Sequence, residues 1–342
     1  MYDDIWQILQ TTAVSVIRQI KPDLNERAAN RLLDAHLHPD HFSMPIHDFA
    51  IEQQLMNWSL GSDQIEAASA FLKFEATHTG LGVARVLLRT HTNRQGVASV
   101  TRDARYKVMS PRVMGLFNSD TEQDWRSWLD WPNMIQSWIS WSERAPQPHQ
   151  DAAAGFSDTD RTALRQLQAL STQQALDLPH KQIASGSYGW NRIVLGFYSG
   201  LRFLNDQYEL QPNRLWAEID ASRTALAVDN LVARWTSVRE FGNALASSFL
   251  ADLGNREFVK ADTHVIAVAT AALNAPGRVS AQGAIDFTRD LANHIGVPAR
   301  SADKLMFFAC SGQLYLAGLH PNKALIQKSK QDLLTKLSWV NL

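Results

Sequence analysis

Apolar residues recur at three- and four-residue spacing along most of this 342-residue chain, a pattern typical of a mainly α-helical fold. The spacing is clear over residues 3–20, 25–37, 51–60 and 64–76, and it returns over nearly all of residues 158–337. One stretch differs, because β-branched residues flank the turn sequence NRQG and predict a β-hairpin near residues 83–109. The sequence therefore predicts helices joined by short turns, with one candidate hairpin.

Chain length and one polar stretch predict two domains. A chain of this length exceeds the usual size of a single domain, and residues 142–160 combine prolines, small residues and acids without an apolar period. Such a composition is typical of an exposed linker. The prediction is an amino-terminal, mostly helical lobe over 1–145, a linker over 146–160 and a helical domain over 161–342.

Composition limits the function classes. The formal net charge is −1, so any affinity for nucleic acid has to come from a local basic patch. Cys310 is the single cysteine, which excludes an intramolecular disulfide and a four-cysteine iron–sulfur cluster and fits a reducing compartment. The reducing compartment that we expect is the cytoplasm, and the lack of an apolar run of membrane-spanning length predicts no membrane attachment. We expect no cofactor.

Three local clusters have a functional and an ordinary interpretation. Residues 85–112 contain seven basic residues against one acid, and Arg85, Arg89 and Arg94 are predicted phosphate contacts, although a solvated charged face remains open. Five tryptophans between 125 and 141 favour a buried aromatic helix face, interrupted at Pro132, over a base-stacking platform. Four histidines within residues 36–47 raise a metal hypothesis, but two prolines break that segment into turns and favour surface histidines.

Asp262 is the candidate for chemistry, and it directly precedes the apolar helical pattern of residues 263–273. It is either a plain helix N-cap or a reactive carboxylate. Upstream lie a helical pattern over 225–235, a turn containing Gly242, a second helical pattern starting near Asn243 and an extended segment that ends at Asp262. A glycine allows backbone N–H groups to approach a phosphate, and a helix N-terminus adds partial positive charge.

The turn containing Gly242 and the extended segment ending at Asp262 resemble, in order and spacing, two elements of the helix-hairpin-helix DNA glycosylases. The sequence EFGNALA at 240–246 is similar to that family's hairpin, LPGVGxxxA, and VKADTHVIAV at 259–268 is similar to its loop ending in V-D-T-H-V. The resemblance is specific over 225–270 and extends, without a further motif, over the helices of 185–320. It implies a glycosylase-like helical domain that acts on DNA, most often double-stranded, by flipping a base out of the stack.

The resemblance also implies roles for individual residues. Asp262 would be the catalytic carboxylate, and His264 would have a supporting or packing role. Contacts to DNA would come from the hairpin and its surroundings: Arg239, Phe241, Gly242, Asn243, Ser247 and Lys260. The aromatic residues that would line a base pocket, each also readable as a core residue, are Tyr188, Trp190, Tyr198 and Trp216.

Two departures from the family pattern narrow the prediction. Glu240 stands where the first hairpin glycine is expected, which puts the shape and the phosphate affinity of the turn in question. Ala244 stands where bifunctional members carry a Schiff-base lysine, which implies a monofunctional DNA N-glycosylase. Its substrate would be a damaged or modified base, in repair or in defence against modified phage DNA. The alternatives are a non-catalytic DNA-binding protein that uses Asp262 only as a cap, and a helical protein-interaction scaffold.

Overall fold

A computed structural model of the chain describes residues 1–20, 22–37, 83–84, 87, 126–144, 158–178, 190–253, 255–311 and 323–340. Within these ranges the chain forms thirteen α-helices and one 3-10 turn, Ser127–Leu129, and no strand. The prediction of a mainly α-helical fold is confirmed. No helix in these ranges combines the length and the apolar character needed to cross a bilayer.

The helices follow the predicted apolar periods closely. In chain order they are α1 (Tyr2–Ile20), α2 (Glu26–Leu37), α3 (Trp131–Arg144), α4 (Asp158–Gln168), α5 (Thr172–Asp177), α6 (Trp190–Tyr208), α7 (Pro212–Ala221), α8 (Ala225–Trp235), α9 (Asn243–Asp252), α10 (Thr263–Ala272), α11 (Ala281–Ile295), α12 (Ala299–Ser311) and α13 (Lys323–Trp339). The period predicted over 158–176 is divided into α4 and α5, because Ser171 and Gln174 form a capping box that starts a new helix.

Most of the predicted hairpin near 83–109 lies outside the described residues. Val83, Ala84 and Leu87 are described, and they are helical and buried. The side chain of Leu87 lies where a Cβ on Gly200 would come within 2.6 Å, so Leu87 packs on the bare backbone of α6. The helices predicted over 51–60 and 64–76 lie outside the described residues, as do most of the predicted linker residues. The same holds for Arg85, Arg89 and Arg94 and for the histidines at 38, 41 and 47.

The described residues form two compact units. The first draws on Met1–Lys73, Ser222–Val232 and Ala246–Leu342, and the second on Phe74–Ala221 and Ala233–Leu245. These units differ from the predicted division at 146–160. The reason is that α1 contacts α11, α12 and α13, and α2 contacts α12, so the amino-terminal helices complete the core of the carboxy-terminal ones.

The first unit has a continuous apolar core. Ile5, Leu9 and Ile17 of α1 belong to the same buried cluster as Leu305 of α12 and Leu337 of α13. Helix α10 contacts α11, α12 and α13, so it lies among the helices that share this core. The N-terminus of α10, where Asp262 stands, is thereby fixed by packing along the whole helix.

The second unit is centred on α6, which contacts α4, α5, α7 and the 3-10 turn. Trp128, Trp131 and Trp138 are buried here, which confirms the core interpretation for these three tryptophans. The Trp131 ring lies 4.9 Å from that of Tyr198, and its indole N–H donates to the Leu170 carbonyl at 3.2 Å. Pro132 lies in the first turn of α3, where a missing backbone N–H breaks no helical hydrogen bond.

Candidate functional site

The turn between α8 and α9, residues 236–242, is held by short-range backbone hydrogen bonds. The Val238 N–H donates to the Trp235 carbonyl at 3.1 Å, and the Phe241 N–H donates to the Val238 carbonyl at 3.0 Å. The Phe241 side chain is buried, with its ring 6.3 Å from that of Trp235. The turn is therefore anchored in the apolar core of the second unit, and Phe241 has only backbone groups to offer a ligand.

Glu240 has a backbone conformation that favours glycine, the residue expected at this position of the hairpin. Its φ of 68° lies in the left-handed region, which costs a residue with a Cβ roughly 1–2 kcal/mol. Its carboxylate is 1% exposed and accepts two hydrogen bonds on Oε2 from Arg192, from Nε at 3.1 Å and from Nη2 at 2.5 Å. The turn thus keeps a glycine-type shape, and the buried Glu240 carboxylate is paired with the partly exposed Arg192 guanidinium.

Gly242 and Asn243 present the N-terminus of α9 to solvent. Both residues are exposed, and a Cβ added to Gly242 would meet no atom within 4 Å. The first backbone N–H groups of a helix have no intrahelical acceptor, and they carry partial positive charge. This end of α9 is chemically suited to an anion such as a phosphate.

Two predicted DNA contacts have other roles. The Arg239 guanidinium is mostly buried and donates to carbonyls at the end of α5, from Nη1 to Leu176 at 2.5 Å and from Nη2 to Leu178 at 2.7 Å. Ser247 is buried within α9. Arg239 is therefore a structural cap for α5, and Ser247 is a core residue, because neither side chain lies at a surface where a phosphate could approach it.

The segment that leads to Asp262 is fixed by backbone bonds and by buried side chains. The Arg256 carbonyl accepts from the Arg300 N–H at 2.8 Å, and Phe258 and Val259 are fully or almost fully buried. The Asp262 N–H donates to the Lys260 carbonyl at 2.7 Å, which makes a tight bend just before α10. The position of the Asp262 carboxylate is therefore set by the first unit's core.

Asp262 is the N-cap of α10. Its φ of −86° and ψ of −177° are extended, and its Oδ1 accepts from the N–H groups of His264 at 2.8 Å and Val265 at 3.1 Å. Oδ2 accepts no hydrogen bond from any residue that the structure describes, and the side chain is partly exposed. Oδ1 holds the carboxylate in place, and none of the described residues donates to Oδ2.

One face of α12 lies close enough to Asp262 to respond to its charge. Asp303, Phe307 and Cys310 share this face through spacings of four and three residues. Burial raises the pKa of Asp303 to about 6, Arg300 opposes the shift, and the negative charge of Asp262 adds to it. Burial likewise raises the pKa of the Cys310 thiol to about 11, again with a contribution from Asp262.

Phe307 contacts both His264 and Lys260, the two predicted site residues that are close to Asp262 in the sequence. The His264 ring meets the Phe307 ring edge-on, with centroids 5.4 Å apart, and the Lys260 Nζ lies 5.7 Å from the same centroid. Both side chains are partly exposed. His264 thus packs against Phe307, and Lys260 adds a positive charge two residues before the carboxylate.

The predicted base-pocket residues do not form a described group. Tyr198 is 2% exposed and its hydroxyl donates to the Leu129 carbonyl at 2.8 Å, so it is a core residue of the second unit. Trp216 is partly exposed on α7, and its buried indole N–H has no acceptor among the described residues. Tyr188 and the Trp190 side chain lie outside the described residues. The described residues also contain no group of three or more side chains that could hold a metal ion.

The sequence did not predict a role at the site for Arg192, Asp303 or Phe307. A charged residue at a glycine position was a signal that Glu240 needs a cation nearby, but nothing in the sequence points to Arg192, 48 positions away. Arg300 and Asp303 have the three-residue spacing of an ordinary surface pair, whereas both are buried. Their roles depend on tertiary packing.

Comparison with known proteins finds no relative of this chain. No protein-family model matches it, and neither does any curated protein or any solved structure.

Proposed function

We propose that this protein is a monofunctional DNA N-glycosylase that removes a damaged or modified base from duplex DNA. The observation that carries the proposal is that the two oxygens of the Asp262 carboxylate differ in their hydrogen bonds. Oδ1 accepts from two backbone N–H groups, whereas Oδ2 accepts from none of the described residues, and the side chain is partly exposed. A plain cap needs only the first oxygen, and a reaction needs the second.

The chemistry follows from charge. Cleavage of an N-glycosidic bond builds oxocarbenium-like positive charge on the deoxyribose, and a fixed carboxylate stabilises that charge and orients the attacking water. Asp262 meets the requirement of fixed geometry, because its backbone is held between a buried segment and α10. The target base has to leave the stack before the sugar reaches the carboxylate.

The hairpin supplies the proposed grip on DNA. The exposed first turn of α9 and the open space above Gly242 support a contact with a backbone phosphate, which positions DNA without reading its sequence. Ala244 offers no amine for a Schiff base at the position where bifunctional members carry one, and Lys260 is assigned to a phosphate contact rather than to a nucleophile. In this proposal the base departs by hydrolysis and the product is an abasic site. Both repair of damaged DNA and attack on modified foreign DNA are served by this reaction.

Substitution of Asp262 by Asn tests the proposal, because asparagine is an equally good N-cap but carries no charge. Wild type and Asp262→Asn are incubated with DNA from varied sources, released bases are identified by mass spectrometry, and abasic sites are counted. We expect wild type to release a base and the variant to lose activity by a factor on the order of 100 or more. Equal release by both proteins contradicts the proposal.

A non-catalytic DNA-binding protein is the second candidate, favoured by the fact that both hydrogen bonds to Asp262 are those of an ordinary cap. It predicts salt-sensitive DNA binding by wild type with no base release from any DNA. The protein-interaction scaffold has less support, because Trp128, Trp131 and Trp138 are buried and leave no aromatic contact surface at these positions.

A further inference from the structure

Arg192 brings a second helix N-terminus to the hairpin. It is the third residue of α6, and its contact with Glu240 means that the first turn of α6 lies within the reach of one arginine side chain from the turn at 236–242. Helix α9 begins three residues after Glu240. The partial positive charges of both helix N-termini and the Arg192 guanidinium therefore lie in one region of the second unit.

The guanidinium of Arg192 is oriented by hydrogen bonds from two of its three nitrogens. Glu240 Oε2 accepts from Nε and Nη2, and Nη1 donates to no acceptor among the described residues. The Arg192 side chain is 30% exposed, whereas the Glu240 side chain is 1% exposed. The carboxylate thus holds the guanidinium from its buried side and leaves the remaining N–H edge accessible.

The neighbouring Arg239 shows what a purely structural arginine looks like in this turn. Its Nη1 and Nη2 both donate to backbone carbonyls at the end of α5, and its side chain is mostly buried. The two arginines flank the same carboxylate, but Arg239 is 12% exposed and its remaining Nε is buried, whereas Arg192 is 30% exposed.

We propose that Arg192 contacts a DNA phosphate next to the hairpin, and that Glu240 is the positioning residue that aims its guanidinium. This inference rests on the proposed function only in taking DNA as the substrate. Arginine presents several N–H donors in a rigid fork, which suits a phosphate after two of the donors are fixed by a carboxylate. Glu240 thus stands where the family has a glycine, and through Arg192 it adds a side-chain contact to the DNA backbone beside the backbone contact of the hairpin.

The test compares Glu240→Gln with the double variant Arg192→Gln/Glu240→Gln. Starting from the neutral Glu240→Gln variant avoids leaving a buried carboxylate without its cation. Binding to a short unmodified DNA duplex is measured over a salt series, and thermal unfolding establishes that both variants fold alike. We expect the double variant to bind more weakly, with a slope of log affinity against log salt that is shallower by about 0.9, the value for one lost phosphate contact.

A matched pair on the same unit provides the control. Arg165 of α4 forms an ion pair with Glu143 of α3 at 3.2 Å and is 61% exposed. Arg165→Gln/Glu143→Gln removes the same two charges outside the hairpin, and we expect the wild-type salt slope. If the double variant at the hairpin does not fold, Arg192→Lys combined with Glu240→Gln keeps the positive charge without the fork, and we expect weaker binding with an unchanged slope.

Equal affinity and equal salt slope for Glu240→Gln and the double variant overturn the inference, as does wild type that fails to bind DNA at low salt. The outcome is separable from that of the proposed function. Base release that depends on Asp262, together with an unchanged slope, removes only the role of Arg192. A changed slope without any base release keeps that role and removes the glycosylase.

Discussion

The hairpin turn and the segment before Asp262 are both short non-helical connections, but they are stabilised by different interactions. The turn at 236–242 depends on one strained residue, Glu240, and on the cation that binds its carboxylate. The segment at 256–262 depends on backbone hydrogen bonds and on the burial of Phe258 and Val259. A side-chain charge therefore controls the turn, whereas core packing controls the position of Asp262.

The ion pair at the turn also differs from the one on α12, the helix whose Arg300 N–H binds the segment before Asp262. Arg192 is 30% exposed over the buried Glu240, while Arg300 and Asp303 are 6% and 3% exposed. A partner lost from a fully buried pair leaves an uncompensated charge that water cannot reach. We therefore expect the largest effects on stability at the Arg300 pair and smaller ones at the hairpin and the cap.

Replacement of Arg300 by Met should destabilise the protein by about 3–5 kcal/mol, because Asp303 is left buried without its cation. Denaturant unfolding measures the loss. The matched control is Arg289→Met, which breaks a more exposed pair with Asp229 and should cost about 1 kcal/mol. Similar losses at both positions would mean that burial of the Arg300 pair has no special weight.

The raised pKa of Asp303 predicts a pH dependence of stability. Since the folded-state pKa of about 6 lies above the ordinary 3.8, the folded protein holds a proton that the unfolded chain has released between these values. The stabilising contribution is complete below pH 3.8 and is lost as pH rises through 6, by at most about 1.4 kcal/mol per pH unit. The difference in unfolding free energy between wild type and Asp303→Asn should fall over this window. A flat difference contradicts the assignment.

Glu240→Ala and Glu240→Gly should differ, although both remove the carboxylate. Glycine accepts the left-handed backbone without strain, so the glycine variant should be more stable by about 1–2 kcal/mol in thermal or denaturant unfolding. Glu209, with φ 52° and an exposed pair with Arg214, provides the comparison. At Glu209 the glycine variant should again be more stable than the alanine variant, but both should lose less unfolding free energy than the corresponding variants at Glu240. An alanine variant at 240 as stable as the glycine variant would argue against a strained turn.

The smallest effect is expected at the cap itself. Asp262→Ala removes both backbone hydrogen bonds to Oδ1 and should cost about 1 kcal/mol, whereas Asp262→Asn keeps them and should cost a few tenths. Unfolding curves of the two variants measure this difference. A loss of several kcal/mol for Asp262→Asn would show that the charge has a large structural role, which the exposure of the side chain does not predict.

Helix positions were readable from the sequence because burial of one helix face leaves a period in the chain. Helix α8 coincides with its predicted span of 225–235, and Asp262 lies at the predicted helix start. Local rules of this kind also explain why the turn before Asn243 was foreseen. They extend only a few residues along the chain.

The remaining features of the site depend on contacts between distant segments. Ser247 and Arg239 were predicted to contact DNA because both lie close to the hairpin in the sequence. In the structure Ser247 is buried, and the acceptors of Arg239 are carbonyls at the end of α5, some 60 positions away. The pairing of Glu240 with Arg192 and the burial of Asp303 follow from packing of whole helices. No spacing rule within the sequence encodes those partners.

The most direct test of the central claim is the rate of base release by Asp262→Asn relative to wild type under single-turnover conditions, with unfolding measured on the same preparations. The account predicts a stability within a few tenths of a kcal/mol of wild type and a rate lower by a factor on the order of 100 or more. A variant that remains folded and releases the base at the wild-type rate would contradict the assignment of Asp262 as the catalytic carboxylate.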